Sequence, residues 1–270
     1  MPESLRWRDG RLWVCNWLAQ EVVSVGLADG DVVVEGRSPV PIPFCIDWLP
    51  DGRLLMTAGR RVLVRESRER WVTYADLDAV IGRGVLNEIV TTSRGWAYVN
   101  GGGYDMMAGD EPAPGGIWLA RPDGSVESVA EGIEFGNGMA ITGDESTLLV
   151  AESHAARITA FAIGSDGRLA DRRVFAELGE RAAPDGLSLE TDGSCWYADV
   201  PNQHCVRVAE GGERLAVVEL DRGAFDCALA PGGTLFVAVM QWDGGRGVSS
   251  TESTGQVVAV DPSRMASESP

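Results

Sequence analysis

The sequence predicts an all-β chain folded as a six-bladed β-propeller with four-stranded blades, and three observations predict it. A turn followed by a hydrophobic strand recurs six times at a spacing of about 40 to 50 residues, a period characteristic of propellers. Each copy is followed by a second, alternating strand, and most copies by a third. No linker or change of composition interrupts the 270 residues, so 1–270 is expected to form one domain.

The six turn-and-strand segments are D-G-R-L-W-V at 9–14, D-G-R-L-L-M at 51–56, R-G-W-A-Y-V at 94–99, E-S-T-L-L-V at 145–150, D-G-S-C-W-Y at 192–197 and G-G-T-L-F-V at 232–237. Gly or Asp in most of these turns suits the backbone of a tight hairpin. The second strands fall at 21–25, 61–65, 116–120, 157–161, 205–209 and 256–260, where apolar and polar residues alternate as in half-buried strands. Outer strands are legible at 31–35, 71–75, 173–177 and 214–218, and an inner strand precedes each turn. After Val260 only ten residues follow, so the sixth unit is expected to lack its outer strand, leaving an edge through which two copies would pair. Monomer and homodimer both remain open.

Composition narrows the function. A net charge of −17 argues against a nucleic-acid partner, which would require clustered positive charge. All 23 basic residues are Arg, which excludes Schiff-base, P-loop and kinase-type lysine chemistry. Cys15, Cys45, Cys195, Cys205 and Cys227 are scattered, with no C-x-x-C pair and no secretory leader ahead of them, and read as reduced thiols of a cytoplasmic protein. No apolar run reaches the roughly 20 residues needed to span a bilayer as a helix. The expected partner is a small-molecule substrate, with no membrane association.

Inner strands of a propeller begin at one mouth of the central channel, so their first residues converge on the axis. Those positions hold Glu3, Phe44 and Cys45, Asn87 and Glu88, Asn137, Asp185, and Asp226. Taken singly, Asn137-Gly138 and Asp185-Gly186 read as turn formers. Together the positions form an oxygen-rich set without His or clustered Cys, which favours a hard cation. One divalent ion is expected, Ca2+ suiting such a site best because it accepts loose geometry, with Zn2+, Mg2+ or Mn2+ as alternatives.

P-E-S-L-R-W-R-D-G-R-L-W, L-N-E-I-V, F-G-N-G-M-A-I-T, L-L-V-A-E-S, R-I-T-A-F and P-D-G-L-S-L-E-T-D-G-S-C-W-Y-A-D resemble the SMP-30/gluconolactonase/LRE-like (regucalcin-like) family across essentially the whole chain. The resemblance implies that Glu3, Asn137 and Asp185 bind the metal and that Asn87 faces substrate and bound water. It implies metal-dependent hydrolysis of a lactone or related cyclic ester; on chemical grounds Asp185 is the expected base, doubling as ligand, with Asn87 holding the oxyanion or the water. A non-hydrolytic isomerase or cyclase, and a calcium- or ligand-binding propeller without turnover, are the competing classes. The sequence departs from the family's sugar lactonases at Val85, where they carry Arg, and at Glu88, where they carry Asp; loss of the Arg fork points to a less polar substrate.

Further expected substrate contacts are Val85, Phe44, Asp226, His154, and Tyr104 in the G-G-G-Y-D loop at 101–105. Trp17, Phe44, Phe135 and Trp242 are candidate apolar walls, and His204 a weaker contact. Ser153 beside His154 lacks the G-x-S-x-G setting of a hydrolase nucleophile.

Overall fold

A computed structural model describes residues 1–68, 70–105, 108–244 and 254–262. Six antiparallel sheets follow one another along the chain. The first comprises β1 (Pro2–Arg8), β2 (Arg11–Asn16), β3 (Glu21–Gly26) and β4 (Val32–Arg37). The second comprises β5 (Ile46–Trp48), β6 (Leu54–Ala58), β7 (Arg61–Ser67) and β8 (Arg70–Asp76), and the third β9 (Leu86–Thr91), β10 (Ala97–Gly101), β11 (Gly115–Ala120) and β12 (Val126–Ile133). The fourth contains β13 (Gly136–Ile141), β14 (Thr147–Glu152), β15 (Arg157–Ile163) and β16 (Leu169–Glu177). The fifth contains β17 (Pro184–Leu189), β18 (Cys195–Asp199), β19 (His204–Val208) and β20 (Arg214–Glu219), and the sixth β21 (Gly223–Leu229), β22 (Leu235–Met240) and β23 (Gln256–Val260). The protein is a six-bladed β-propeller.

Burial explains the residue pattern within each blade. The strands that directly follow the repeated turns are covered on both faces by neighbouring blades, so β6 (L-L-M-T-A) and β22 (L-F-V-A-V-M) are buried at every position. Outer strands touch a neighbour on one side at most, and β4 leaves Val32, Val34 and Arg37 exposed. The outer strand of blade three, β12, is not legible in the sequence because its E-G pair and exposed Ser128 and Glu131 dilute the apolar alternation.

Each pair of adjacent blades shares one apolar cluster. Cys15, Val22, Phe44 and Met56 join blades one and two, and Leu55, Val62, Ile89 and Val99 join two and three. Similar clusters follow around the ring. The last closes it: Leu5, Leu12 and Val14 of blade one pack on Ala228, Phe236 and Ala238 of blade six, and Trp7 stacks on Phe236 with centroids 5.8 Å apart. Leu5 and Phe236 are almost completely buried, and each such side chain contributes about 1.5–3 kcal/mol. Among the described residues the ring therefore closes by side-chain packing, with no strand exchanged between first and last blades. Blade six is three-stranded among the described residues, as expected.

The five cysteines are buried and form no disulfide. Among the described residues, no helix is long and apolar enough to cross a membrane.

Candidate metal centre

The inner strands are bulged at the residues that matter. Register shifts fall between Glu3 and Arg6, between Gly136 and Met139, between Pro184 and Leu187, and between Ala224 and Asp226, and a matching shift in β10 lies opposite the start of β9. A bulge inserts an unpaired residue and re-aims its side chain, which here recurs at one end of the channel. Ser4, at the first bulge, has φ +50, and its hydroxyl accepts the Ile46 amide at 2.9 Å, joining blade one to blade two.

The N-G and D-G pairs are not turns. Both lie inside inner strands, where the next strand comes too close for a side chain. A Cβ at Gly138 would collide with the Asp185 carbonyl oxygen, and one at Gly186 with the Asp226 carboxylate. Each glycine thus lets the blade carrying one site residue press against the next.

Four acids, Glu3, Glu88, Asp185 and Asp226, interact electrostatically in this region. Two have partners. Glu88 accepts Arg6 Nη2 at 2.8 Å and the Ile89 amide at 2.7 Å. Asp226 accepts the amides of Leu5 and Cys227. Burial, partly offset by Arg6, pushes the Asp226 carboxyl up to about 7. Arg6 also donates to the carbonyls of Leu5 and Ile89, which commits its guanidinium to this tier.

Glu3 and Asp185 differ: no hydrogen bond reaches either carboxylate among the described residues. Burial, followed by mutual repulsion for Glu3 and by repulsion from Asp226 for both, raises their pKa well above the ordinary range. Asp185 retains some accessible surface, whereas Glu3 is buried. Two such acids stay ionised together only beside a cation.

Three asparagines complete the arrangement. Asn87 Nδ2 donates to Asn137 Oδ1 at 3.0 Å. Fully buried Asn100 donates to the Asn137 carbonyl at 2.5 Å and accepts the Glu88 amide at 3.1 Å. Asn137 Nδ2 lies 3.4 Å from Ser153 Oγ, which donates to the Pro184 carbonyl at 2.7 Å. Ser153 is thus a bridge from the Asn137 side chain to the residue preceding Asp185. Asn100 and Ser153 were not read as site residues. The signal for Asn100 was a lone amide ending the apolar strand A-Y-V-N.

The match of residues 1–241 to the SMP-30/Gluconolactonase/LRE-like region decides the family. The chain belongs to it. Among curated proteins it is 22% identical over 280 aligned positions to a gluconolactonase of Zymomonas mobilis subsp. mobilis, covering 88% of this chain and 77% of that one. It is 27% identical over 113 residues to chicken (Gallus gallus) regucalcin, covering 41% of this chain and only 38% of that protein. A solved regucalcin from Agrobacterium tumefaciens, described as a calcium-binding protein, shares the fold with a TM-score of 0.76 at 17% identity, covering 97% of this chain and 91% of that one.

Among the described residues of this SMP-30/gluconolactonase/LRE-like protein, no three His, Cys, Asp or Glu side chains form a metal-binding group, so a cation would require an amide oxygen beside carboxylates. Glu3, Asp185 and Asn137 supply that mixture, and an all-oxygen set fits a hard ion.

Other expected contacts separate clearly. Phe44 is fully buried in the core between blades one and two, which corrects its reading as a substrate contact. Asp226 is likewise corrected: it is 2% exposed and both its oxygens are engaged by backbone amides, so it supports the site from behind. Val85 is half-buried immediately before β9. Tyr104, Phe135 and His154 form one aromatic patch, with Phe135 and His154 stacked at 4.5 Å. Trp17 and Trp242 flank a cluster of Met1, Val200, Phe225 and Met240. His204 lies 3.3 Å from buried Asp199, which also accepts Asn202 Nδ2 at 2.9 Å, a local structural tie.

Proposed function

We propose that this protein is a metal-dependent hydrolase that opens a lactone or related cyclic ester, with calcium as its ion. The observation that carries this reading is the pair of desolvated carboxylates, Glu3 and Asp185, left without hydrogen-bond donors beside the Asn87–Asn137 amide pair. Support comes from the family, which includes a gluconolactonase, and from the calcium-binding description of a structural relative.

Glu3, Asp185 and Asn137 would hold the ion, which when bound would supply Lewis-acid polarisation of the ester carbonyl. Asp185 accepts the proton of the attacking water, a role open to it because no hydrogen bond from the described residues occupies its oxygens. Asn87, whose side-chain N–H groups face Asn137 Oδ1 and the Gly136 carbonyl, would use its Oδ1 to orient the attacking water. Asn100 and Ser153 fix the Asn137 backbone and side chain, so that the amide pair is oriented before substrate arrives. Collapse of the adduct breaks the ring C–O bond, and Asp185 returns its proton to the leaving alkoxide to give a hydroxy acid.

A lactone panel assayed by proton release, with and without chelator, tests this reading. Chelator-sensitive ring opening is expected, and Asp185→Asn should lower kcat about 10²–10⁴-fold. Full activity in Asp185→Asn with metal still bound would remove Asp185 from its role. Metal-induced stabilisation without turnover of any lactone would identify a binding protein instead.

A further inference from the structure

The channel mouth carries aromatic groups on opposite sides. Around the ring, blades three and four lie opposite blades six and one. On the first side, Phe135 stacks on His154 with an interplanar angle of 14°, and Tyr104 lies 6.0 Å from Phe135. This patch adjoins the amide pair: Phe135 precedes Asn137 by two residues, and its carbonyl accepts the amide of Ser153, whose hydroxyl meets Asn137. Phe135 adopts φ +56, a region that bulky residues rarely occupy and that persists where surrounding structure enforces it.

On the other side, Trp17 packs simultaneously on the cluster between blades one and two, on that between two and three, and on the Met1–Phe225 cluster. One side chain reaches all three only from the inner end of the blades. Its Nε1 donates to the Phe44 carbonyl at 2.6 Å, so the indole's polar edge is satisfied within the protein. Trp242 meets Phe225 edge-on at 5.9 Å on the same side. Val85 stands two residues before Asn87 and offers no hydrogen bond to a ligand. Arg6, the guanidinium in the site's charge network, is spent on Glu88 and backbone carbonyls.

We infer that the substrate is a lactone bearing a flat aromatic substituent that stacks on the Phe135 patch, with Trp17 as an apolar wall on the opposite side of the mouth, and that polyhydroxylated sugar lactones are disfavoured. This inference rests on the hydrolase reading above. Aromatic faces recognise a planar group by stacking and area burial, whereas each ring hydroxyl placed against them without a partner lowers affinity by roughly tenfold or more. The chemistry is unchanged: the water oxygen adds to the carbonyl carbon, the ring C–O bond breaks, and the released alkoxide takes a proton, with no redox step.

The test compares γ-phenyl-γ-butyrolactone with erythronolactone, each kcat/KM divided by the lactone's rate with hydroxide alone. A preference for the phenyl lactone of at least tenfold is expected. Phe135→Asn, a residue that tolerates positive φ, should reduce that preference at least tenfold, and Trp17→Phe should reduce it less. Calorimetric binding of the matching lactams, which resist hydrolysis, provides a readout independent of turnover. Tighter binding of the phenyl lactam without turnover of any lactone would uphold the aromatic slot while overturning the hydrolase reading. Efficient opening of erythronolactone with no preference for the phenyl compound would uphold the hydrolase and overturn the slot. A preference unchanged in Phe135→Asn would also overturn it.

Discussion

Glu152 and Asp185 stand at the same end of adjacent blades and meet opposite fates. Glu152, at the end of β14 and without accessible surface, accepts Arg157 at 3.0 Å, Thr159, Arg172 and the Glu134 amide at 2.8 Å. Burial pushes its carboxyl up, but these partners outweigh burial and hold it below the usual carboxylate range. Asp185 has burial and like charge around it and, among the described residues, no hydrogen bond to compensate, and its carboxyl rises. The protein can satisfy a buried acid when it does so structurally. Where it leaves two unsatisfied, the missing partner is expected to come from outside.

Breaking the satisfied side should have the largest effect on stability. Glu152→Ala leaves Arg157 and Arg172 facing each other without a counter-charge, and a loss of about 3 kcal/mol is expected from urea unfolding. That figure is at the low end for a broken buried pair because both guanidiniums reach water. Glu152 contributes stability above its unfolded pKa and loses it as pH falls through its lowered folded value. The variant should therefore differ less from the parent in acid than at pH 7.

Supplying the missing partner should have a comparable effect of opposite sign. Calcium at a hundredfold excess over Kd is expected to stabilise the protein by about 2.7 kcal/mol, with the gain lost on chelation and absent in Glu3→Gln. Differential scanning calorimetry with and without the ion measures it.

The smallest effect is the most discriminating. With metal removed, Asp185→Asn relieves repulsion and should be more stable than the parent by about 0.5–2 kcal/mol, the reverse of Glu152→Ala. Carboxyls with raised folded pKa bind protons that the unfolded chain has already released. Metal-free stability at this site should therefore rise as pH falls from near 7, where Asp226 titrates, toward about 4, and calcium or Asp185→Asn should flatten that slope. A parent as stable as Asp185→Asn without metal at pH 7 would mean that the unsatisfied side carries no strain.

The propeller was legible because its blades repeat the same physical problem six times. Turn glycines and the doubly covered strands that follow them leave a local, periodic imprint, and L-L-M-T-A at 54–58 shows it without any tertiary information. The expectation that Glu3, Asn137 and Asp185 meet at one mouth followed from the same repeat. Phe44 shows the limit: its position at an inner-strand start resembles that of Glu3, but which way a side chain turns depends on local bulging and on the blade it faces. β1 is bulged at Glu3, whereas β5 begins only at Ile46, leaving Phe44 in the core.

The sequence by itself determined the all-β class, the six repeats, the absence of lysine chemistry and the oxygen-rich set of inner-strand residues, because each is a property of composition or short-range periodicity. Only the tertiary structure decided that Arg6 neutralises Glu88, that Asn100 and Ser153 orient Asn137, that Asp226 is spent on backbone amides, and that Asn137-Gly138 and Asp185-Gly186 are close-packed strand positions. Apart from the Cys227 amide beside Asp226, those facts depend on pairs separated by tens to hundreds of residues. A carboxylate's role is set by which donors reach it across the channel, and no local pattern records that.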